Sequence, residues 1–424
     1  MSSIEKPYCD ALKSGNYNRK SGLNGKYDNV RHYWEDEITR AFLAPLIKKT
    51  LDIKSAANKG LRILDIGCGS GDGYELVMGI TNQESNLYDT NNRLIKYSDL
   101  NAYLGIDINK DLIDQARLDY IDNEKTRFIV KDFSSNNFLK DLEPFDLYLT
   151  SYGTLSHNSD KETIKLLTEI ALHCNNYAII VCDWLGRYSY EWQQLWSNNL
   201  EDDLFIDYRM SYIYNRQQNK TPIQSFPLRI MSDREVLNIV NTARSLTGIN
   251  ITVKKLFDRS IFVGRHIDTN EYNKHCQPLR KLVNTLLEPN IRTDLHALVV
   301  NYEAKENVNC LNDFSCLNDF FKKFSHNWNS IVNRCINRLY GDRGPKRRKS
   351  ENGVNINHLT AAIDKVINIS DNALFDARAN IIEQQLAHCL RQLEMQMQPG
   401  IGIGHGLVSI LEIDKKCENS KNIA

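Results

Sequence analysis

Apolar residues in this chain recur in two rhythms. Between residues 27 and 51, Val30, Trp34, Ile38, Ala41, Phe42 and Leu46 fall at three- or four-residue steps, which predicts an amphipathic helix. From 61 to 266, short apolar runs at 62–66, 103–108, 127–130, 145–150 and 177–182 alternate with helical patterns at 73–78, 110–120, 161–173 and 233–247. Strands that are apolar on both faces and separated by helices predict a mostly parallel sheet covered on both sides. Ser232 stands three residues before Glu235, the spacing of a capping box, and marks where the last of these helices starts. Two more apolar runs, 251–257 and 260–264, are separated only by Asp258 and Arg259. Two residues are too few for a crossover helix, so this pair is expected to close the sheet antiparallel. Beyond 268 the strand signal fades and helical patterns dominate, at 277–287, 311–339 and 373–397.

The expected fold class is therefore α/β, a mostly parallel sheet with an antiparallel last strand plus a mainly helical C-terminal region. Three segments follow: 1–60, 61–266 and 267–424. Two insertions interrupt the middle one. Residues 81–101 are rich in Asn, Asp and Ser and read as a surface loop. Residues 184–231 hold Tyr188, Tyr190, Trp192, Trp196, Tyr208, Tyr212, Tyr214 and Phe226, with 207–214 alternating like a strand and 226–230 as its partner. The C-terminal helices suit a lid, an independent domain or a homodimer contact. Residues 399–406, Pro-Gly-Ile-Gly-Ile-Gly-His-Gly, contain no lysine and follow no clear strand, so a flexible turn is expected there rather than a ligand loop.

Composition narrows the function classes. No stretch of 18 apolar residues exists, so no membrane span is expected. Lysine plus arginine equals aspartate plus glutamate, 53 against 53, which argues against a nucleic-acid partner. The basic run Lys346-Arg347-Arg348-Lys349 sits among Gly, Pro and Ser and reads as a solvated loop. Ten cysteines without a CxxC pair indicate neither a disulfide framework nor a metal site. Reduced thiols and a polar start without a secretory core fit a cytoplasmic protein.

The chemistry concentrates at 62–73, Arg-Ile-Leu-Asp-Ile-Gly-Cys-Gly-Ser-Gly-Asp-Gly. An apolar strand ends in Asp65, and Gly67, Gly69 and Gly71 follow at alternate positions. Missing side chains let the backbone turn sharply and approach a ligand, and the next helix offers free N–H groups. A phosphate loop is excluded, because no Gly-Lys-Ser/Thr is present and the spacing is GxGxG.

This segment resembles motif I of class I S-adenosylmethionine-dependent methyltransferases, and three further elements follow in that family's order. Tyr103-Leu-Gly-Ile-Asp107-Ile108 ends a strand in an acid that suits two ribose hydroxyls. Phe128-Ile-Val-Lys-Asp132-Phe133 supplies the acid and apolar residue placed at the adenine, and Phe145-Asp146 through Ser151-Tyr152-Gly153 resembles motif IV. The resemblance covers about residues 27–266 and implies a Rossmann-like fold with S-adenosyl-L-methionine as cofactor. It places Asp65, Gly67, Cys68, Gly69, Gly71, Asp107, Ile108, Asp132, Phe133 and Ser151 at the cofactor, with Cys68 as a small spacer and Asp146 as structural. Asp107 lies 36 residues past Gly71, where about 20 is common, and the 81–101 insertion accounts for the excess.

The segment 26–34 resembles the helix that closes over the cofactor in many members. Tyr27 and Arg31 share a face, and Arg31 is placed either at the cofactor's carboxylate or in an ion pair with Glu35. Methyl transfer needs alignment and exclusion of water, and a base only when the acceptor must lose a proton. His157 and Tyr152 are the catalytic candidates after the fourth strand, and Asp183 and Trp184 follow the fifth. His157 reads either as a base or as a packing residue at a helix start. The expected activity is methylation of a small or medium-sized organic acceptor at N or O. An RNA or protein methyltransferase with the helical tail as docking element, and a non-catalytic cofactor-binding or scaffolding protein, are the alternatives.

Overall fold

The computed structural model describes residues 5–13, 15, 25–82, 88, 90–196, 203–209, 225–264, 272–305, 314–341, 355–370 and 373–415. The basic run at 346–349 and Tyr212 and Tyr214 lie outside them. A short helix, α1 (Glu5–Lys13), precedes a π-helical turn at Arg31–Glu35 that runs into α2 (Asp36–Ala56). Then β1 (Leu61–Ile66), α3 (Asp72–Met78), β2 (Leu100–Asp107), α4 (Lys110–Asp119), β3 (Thr126–Val130), β4 (Leu147–Thr150), α5 (Asp160–His173) and β5 (Tyr177–Gly186) alternate as the apolar rhythm predicts. The cap strands β6 (Phe205–Arg209) and β7 (Ser225–Met231) pair antiparallel, which bears out the strand pairing expected there as far as Arg209. After α6 (Asp233–Thr247), whose Ser232–Glu235 capping box forms as expected, comes β8 (Ile251–Arg259). Helices α7 (Leu279–Leu286), α8 (Phe314–Leu339), α9 (Asn357–Ser370) and α10 (Glu383–Met397) lead to β9 (Gly406–Asp414).

The main sheet runs β3-β2-β1-β4-β5-β9-β8, all parallel except β9, and β7 adds to the far end of β5. The fold is thus α/β and Rossmann-like, with one antiparallel strand. That strand is not the one expected. Residues 260–264 do not fold back on β8: Ser260 takes a left-handed backbone (φ 60°), and the chain leaves the sheet. Residues 406–414 instead enter between β5 and β8 and pair with both along their full length. The physical reason is burial. Leu407, Val408, Ile410, Leu411 and Ile413 are all inaccessible to solvent, and a strand buried on both faces must have both edges paired as well. The expected boundary at 266 therefore cuts the sheet, and the described residues between 260 and 405 form a mainly helical excursion between its last two strands.

Alternation along the strands feeds two cores. Ile63, Leu149, Val181 and Val408 face one side, and Ile66, Ile106, Ile180 and Leu411 the other. Helices α5 and α6 cover the second side. The first is covered by α2 together with α7–α10, in one continuous apolar cluster. Trp34 from the helical entry to α2 packs on Trp328 of α8 and donates to Glu394 of α10 at 3.1 Å. Glu394 also accepts from the Ser260 and Ile261 N–H groups, at 2.7 and 3.0 Å. The C-terminal helices are part of the same body as the sheet.

Candidate active site

Strand order reverses at β1, whose neighbours β2 and β4 lead away in opposite directions. The loops that follow such strands splay apart and leave a crevice at their carboxyl ends. A cavity of about 340 Å³ lies there, within the range of small-molecule sites. Its floor is the loop after β1. Gly67, Gly69 and Gly71 all take positive φ, at 68°, 54° and 88°, which side chains rarely tolerate. A Cβ on Gly67 would stand 2.4 Å from Thr154, and one on Gly71 2.7 Å from the Tyr120 ring.

Of the residues expected at the cofactor, Gly67, Cys68, Gly69, Asp107, Ile108, Asp132, Phe133 and Ser151 line this cavity. Asp107 accepts the Gly69 N–H at 2.9 Å and the Asn109 N–H at 2.8 Å, one on each oxygen. Burial raises its pKa, against the pull of those N–H groups. Asp132 receives the Ser134 N–H and hydroxyl on one oxygen, at 2.8 and 2.7 Å. Cys68 is buried, and loss of solvation pushes its thiol well above the ordinary range, so it is no nucleophile at neutral pH.

Asp65, Gly71, Tyr27 and Arg31 do not line the cavity. Asp65 lies fully buried beneath the loop and accepts from Tyr103 at 2.5 Å. Desolvation pushes its pKa up to about 7, opposed chiefly by that hydrogen bond. Gly71 turns the chain into α3, where its carbonyl accepts from Tyr120 at 2.8 Å. Tyr27 and Arg31 both meet Asp72 at the start of α3: the Tyr27 hydroxyl donates to it, and Arg31 pairs with it at 2.8 Å. The ion pair between Arg31 and Glu35 does not form, because Glu35 is held by Arg280 at 2.8 Å and Ser260 at 2.9 Å. Arg31 also stacks on the Tyr152 ring at 3.6 Å.

Both catalytic candidates reach the cavity. Tyr152 sits at φ 61° and is fixed at both ends. Its N–H donates to Asp183 at 2.7 Å and its hydroxyl to Asp36 at 2.9 Å. His157 follows on a 3₁₀ turn (Thr154–His157), with its Nε2 3.0 Å from the Tyr8 hydroxyl and its ring stacked on Phe226. Desolvation alone pushes its pKa down to about 4.

The structure adds residues that sequence reasoning missed. Lys26 lines the cavity and pairs with Asp72 at 2.5 Å. Tyr8 of α1 and Tyr208 and Leu228 of the cap also line it. Arg259, at the end of β8, pairs with Asp183 at 2.8 Å. His405 enters from the 399–406 segment, which is not a flexible turn. Gly400, Ile401, Gly402, Ile403 and Gly404 all point their N–H groups at the buried Asp258 carboxylate, at 2.6 to 3.4 Å. The only sequence signal for this was the second run of alternate glycines before an apolar strand.

No family model and no curated protein matches this chain in sequence. Among solved structures it is similar to a S-adenosylmethionine-dependent methyltransferase from Clostridium acetobutylicum, at 13% identity and TM-score 0.38, over 59% of this chain and 91% of that one. It is also similar to magnesium protoporphyrin IX methyltransferase from Synechocystis, at 11% and 0.31, over 61% and 90%. A third is CalS10, an amino pentose methyltransferase from Micromonospora echinaspora, at 12% and 0.29, over 58% and 89%. At such identities and TM-scores, the chemistry of this chain has to be read from its own site.

Proposed function

We propose that this protein is a S-adenosyl-L-methionine-dependent methyltransferase acting at N or O of a small or medium-sized organic acceptor. The observation that carries the reading is a single cavity that joins the Gly67–Gly69 floor, Asp107 and the Asp132–Phe133 pair to Tyr152, Trp184, Leu185 and Leu228. The donor set suits the cofactor. Each Asp107 oxygen takes one backbone N–H and keeps acceptor capacity for a ribose hydroxyl. Ile108 and Phe133 offer apolar surface for the adenine, and one Asp132 oxygen receives neither Ser134 donor. Lys26 brings to the cavity a positive charge that would suit a carboxylate, and Arg31 shares its partner Asp72.

When bound, the cofactor supplies a methyl group already activated as a sulfonium. The protein's own contribution is then alignment and exclusion of water. Tyr152, clamped between Asp36 and Asp183, gives one rigid wall, and α1 and the cap give the roof. A cavity of about 340 Å³ fits a small molecule better than a macromolecular surface. Among the described residues, no helix is long and apolar enough to cross a membrane.

Titration calorimetry with S-adenosylmethionine and S-adenosylhomocysteine tests the reading. Binding of both is expected, and no binding of either sinks it.

A further inference from the structure

Among the described residues, His405 is the one histidine lining this cavity that is paired with a carboxylate. It is buried, and its Nδ1 lies 2.5 Å from Oε2 of Glu191. Glu191 is itself buried, on the 3₁₀ turn Tyr190–Leu195, and its Oε2 also takes the Ser189 hydroxyl at 3.4 Å. The ring stands between Trp192 and Tyr208, with centroids at 5.7 and 6.2 Å. Its backbone is held too: its N–H donates to Ser260 and its carbonyl accepts from Gly186, both at 3.0 Å. A carboxylate on one ring nitrogen sets the tautomer and turns the other nitrogen into the proton acceptor.

We propose that His405, oriented by Glu191, is the general base of the methyl transfer, and that the acceptor carries a hydroxyl on an apolar skeleton. This rests on the methyltransferase reading above. His157 is the poorer base, because burial with no charge to oppose it holds the ring neutral down to about pH 4. At His405 a charge arriving on the ring forms beside Glu191. The nearby titratable groups are Tyr208 from the cap, Tyr272, whose hydroxyl feels Glu191, and the Asp183–Arg259 pair, whose Arg259 lies in register with Gly406 beside His405. Trp184, Leu185 and Leu228 add apolar wall to the same cavity, where a neutral hydroxyl enters at less desolvation cost than an ammonium. In the step, the acceptor oxygen bonds to the methyl carbon as the carbon–sulfur bond breaks and its electron pair stays on sulfur. The hydroxyl proton passes to Nε2 of His405 and leaves to water with the product.

p-Nitrophenol in the presence of saturating S-adenosylhomocysteine tests the assignment, because its ionised form absorbs in the visible. At a pH below the phenol's own pKa, the wild-type ternary complex is expected to show the phenolate. His405→Gln is expected to lower that signal at least about tenfold, with S-adenosylhomocysteine affinity within about threefold as for sites that share no partner. Glu191→Gln, which keeps His405 in place, is expected to lower the signal as well and serves if the first variant fails to fold. Failure of the wild type to bind S-adenosylhomocysteine overturns the methyltransferase reading and this proposal with it. Binding without a phenolate signal, or a signal unchanged in His405→Gln, overturns the hydroxyl-and-base assignment alone.

Discussion

Two loops with glycine at alternate positions approach the same cavity, and they do opposite things. Residues 67–71 follow a parallel strand, so they leave the sheet at its carboxyl edge, and residues 67–69 face the cavity. Residues 400–406 precede an antiparallel strand, and so they arrive at that edge from the other direction. Their N–H groups turn inward onto Asp258 rather than outward to a ligand. The same composition makes a ligand floor in one place and an internal anion nest in the other. Strand direction and the position of one carboxylate make the difference. What the second loop contributes to the cavity is not its backbone but the histidine at its end.

Substitutions in the two loops should therefore separate binding from folding. The largest effect is expected for Gly69→Arg, which should abolish measurable S-adenosylmethionine binding in calorimetry while the circular dichroism spectrum stays native. Asp258→Ala should do the reverse. It leaves several buried N–H groups without an acceptor, and chemical denaturation should show a loss of about 3 kcal/mol or more. Asp107→Ala is expected to be milder, weakening affinity by roughly 10- to 100-fold, the worth of one or two hydrogen bonds to a charged group. A smaller effect concerns pH. Burial pushes Asp65 up to about 7, Glu394 to about 7 and Asp258 to about 6. The folded chain then binds more protons than the unfolded one between the ordinary carboxylate range and pH 7. Stability is fully present below that window and is lost as pH rises through it. Melting temperature should thus fall from pH 5 to pH 7.5, and Asp65→Asn, by removing one of the groups, should flatten that fall. The smallest expected effect is that of His157→Ala, with turnover reduced by well short of the roughly hundredfold low end of general-base loss. A hundredfold loss there would return the base to the turn after β4.

Much of this was legible in the chain. Every strand from β1 to β5 lay where the apolar runs stood, because the inner strands, buried on both faces, are nearly continuous apolar runs. The floor of the cavity was equally legible, since a strand, an acid and alternate glycines are local in sequence and their conformations are local too. Asp65 shows the limit of that legibility. Its place at the strand end was evident, but whether it faced the cavity or lay beneath the loop depended on Tyr103, a residue of the neighbouring strand. Arg31 shows it again, because its choice of Asp72 over Glu35 depended on Arg280, far along the chain, having claimed Glu35.

By itself, the sequence determined the parallel half of the sheet, the helix starts within it and the glycine floor with Asp107, all set by backbone preference and burial over a few neighbouring residues. Only the tertiary structure decided which segment closes the sheet. Residues 260–264 and 407–413 are both apolar, and the choice between them is made by pairing with β5 and β8 at once, across an excursion of well over a hundred residues. Because the winning strand is antiparallel, its first residue comes to lie at the edge where the others end. That geometry brings His405 into the cavity and against Glu191, and it cannot be read from the order of residues along the chain.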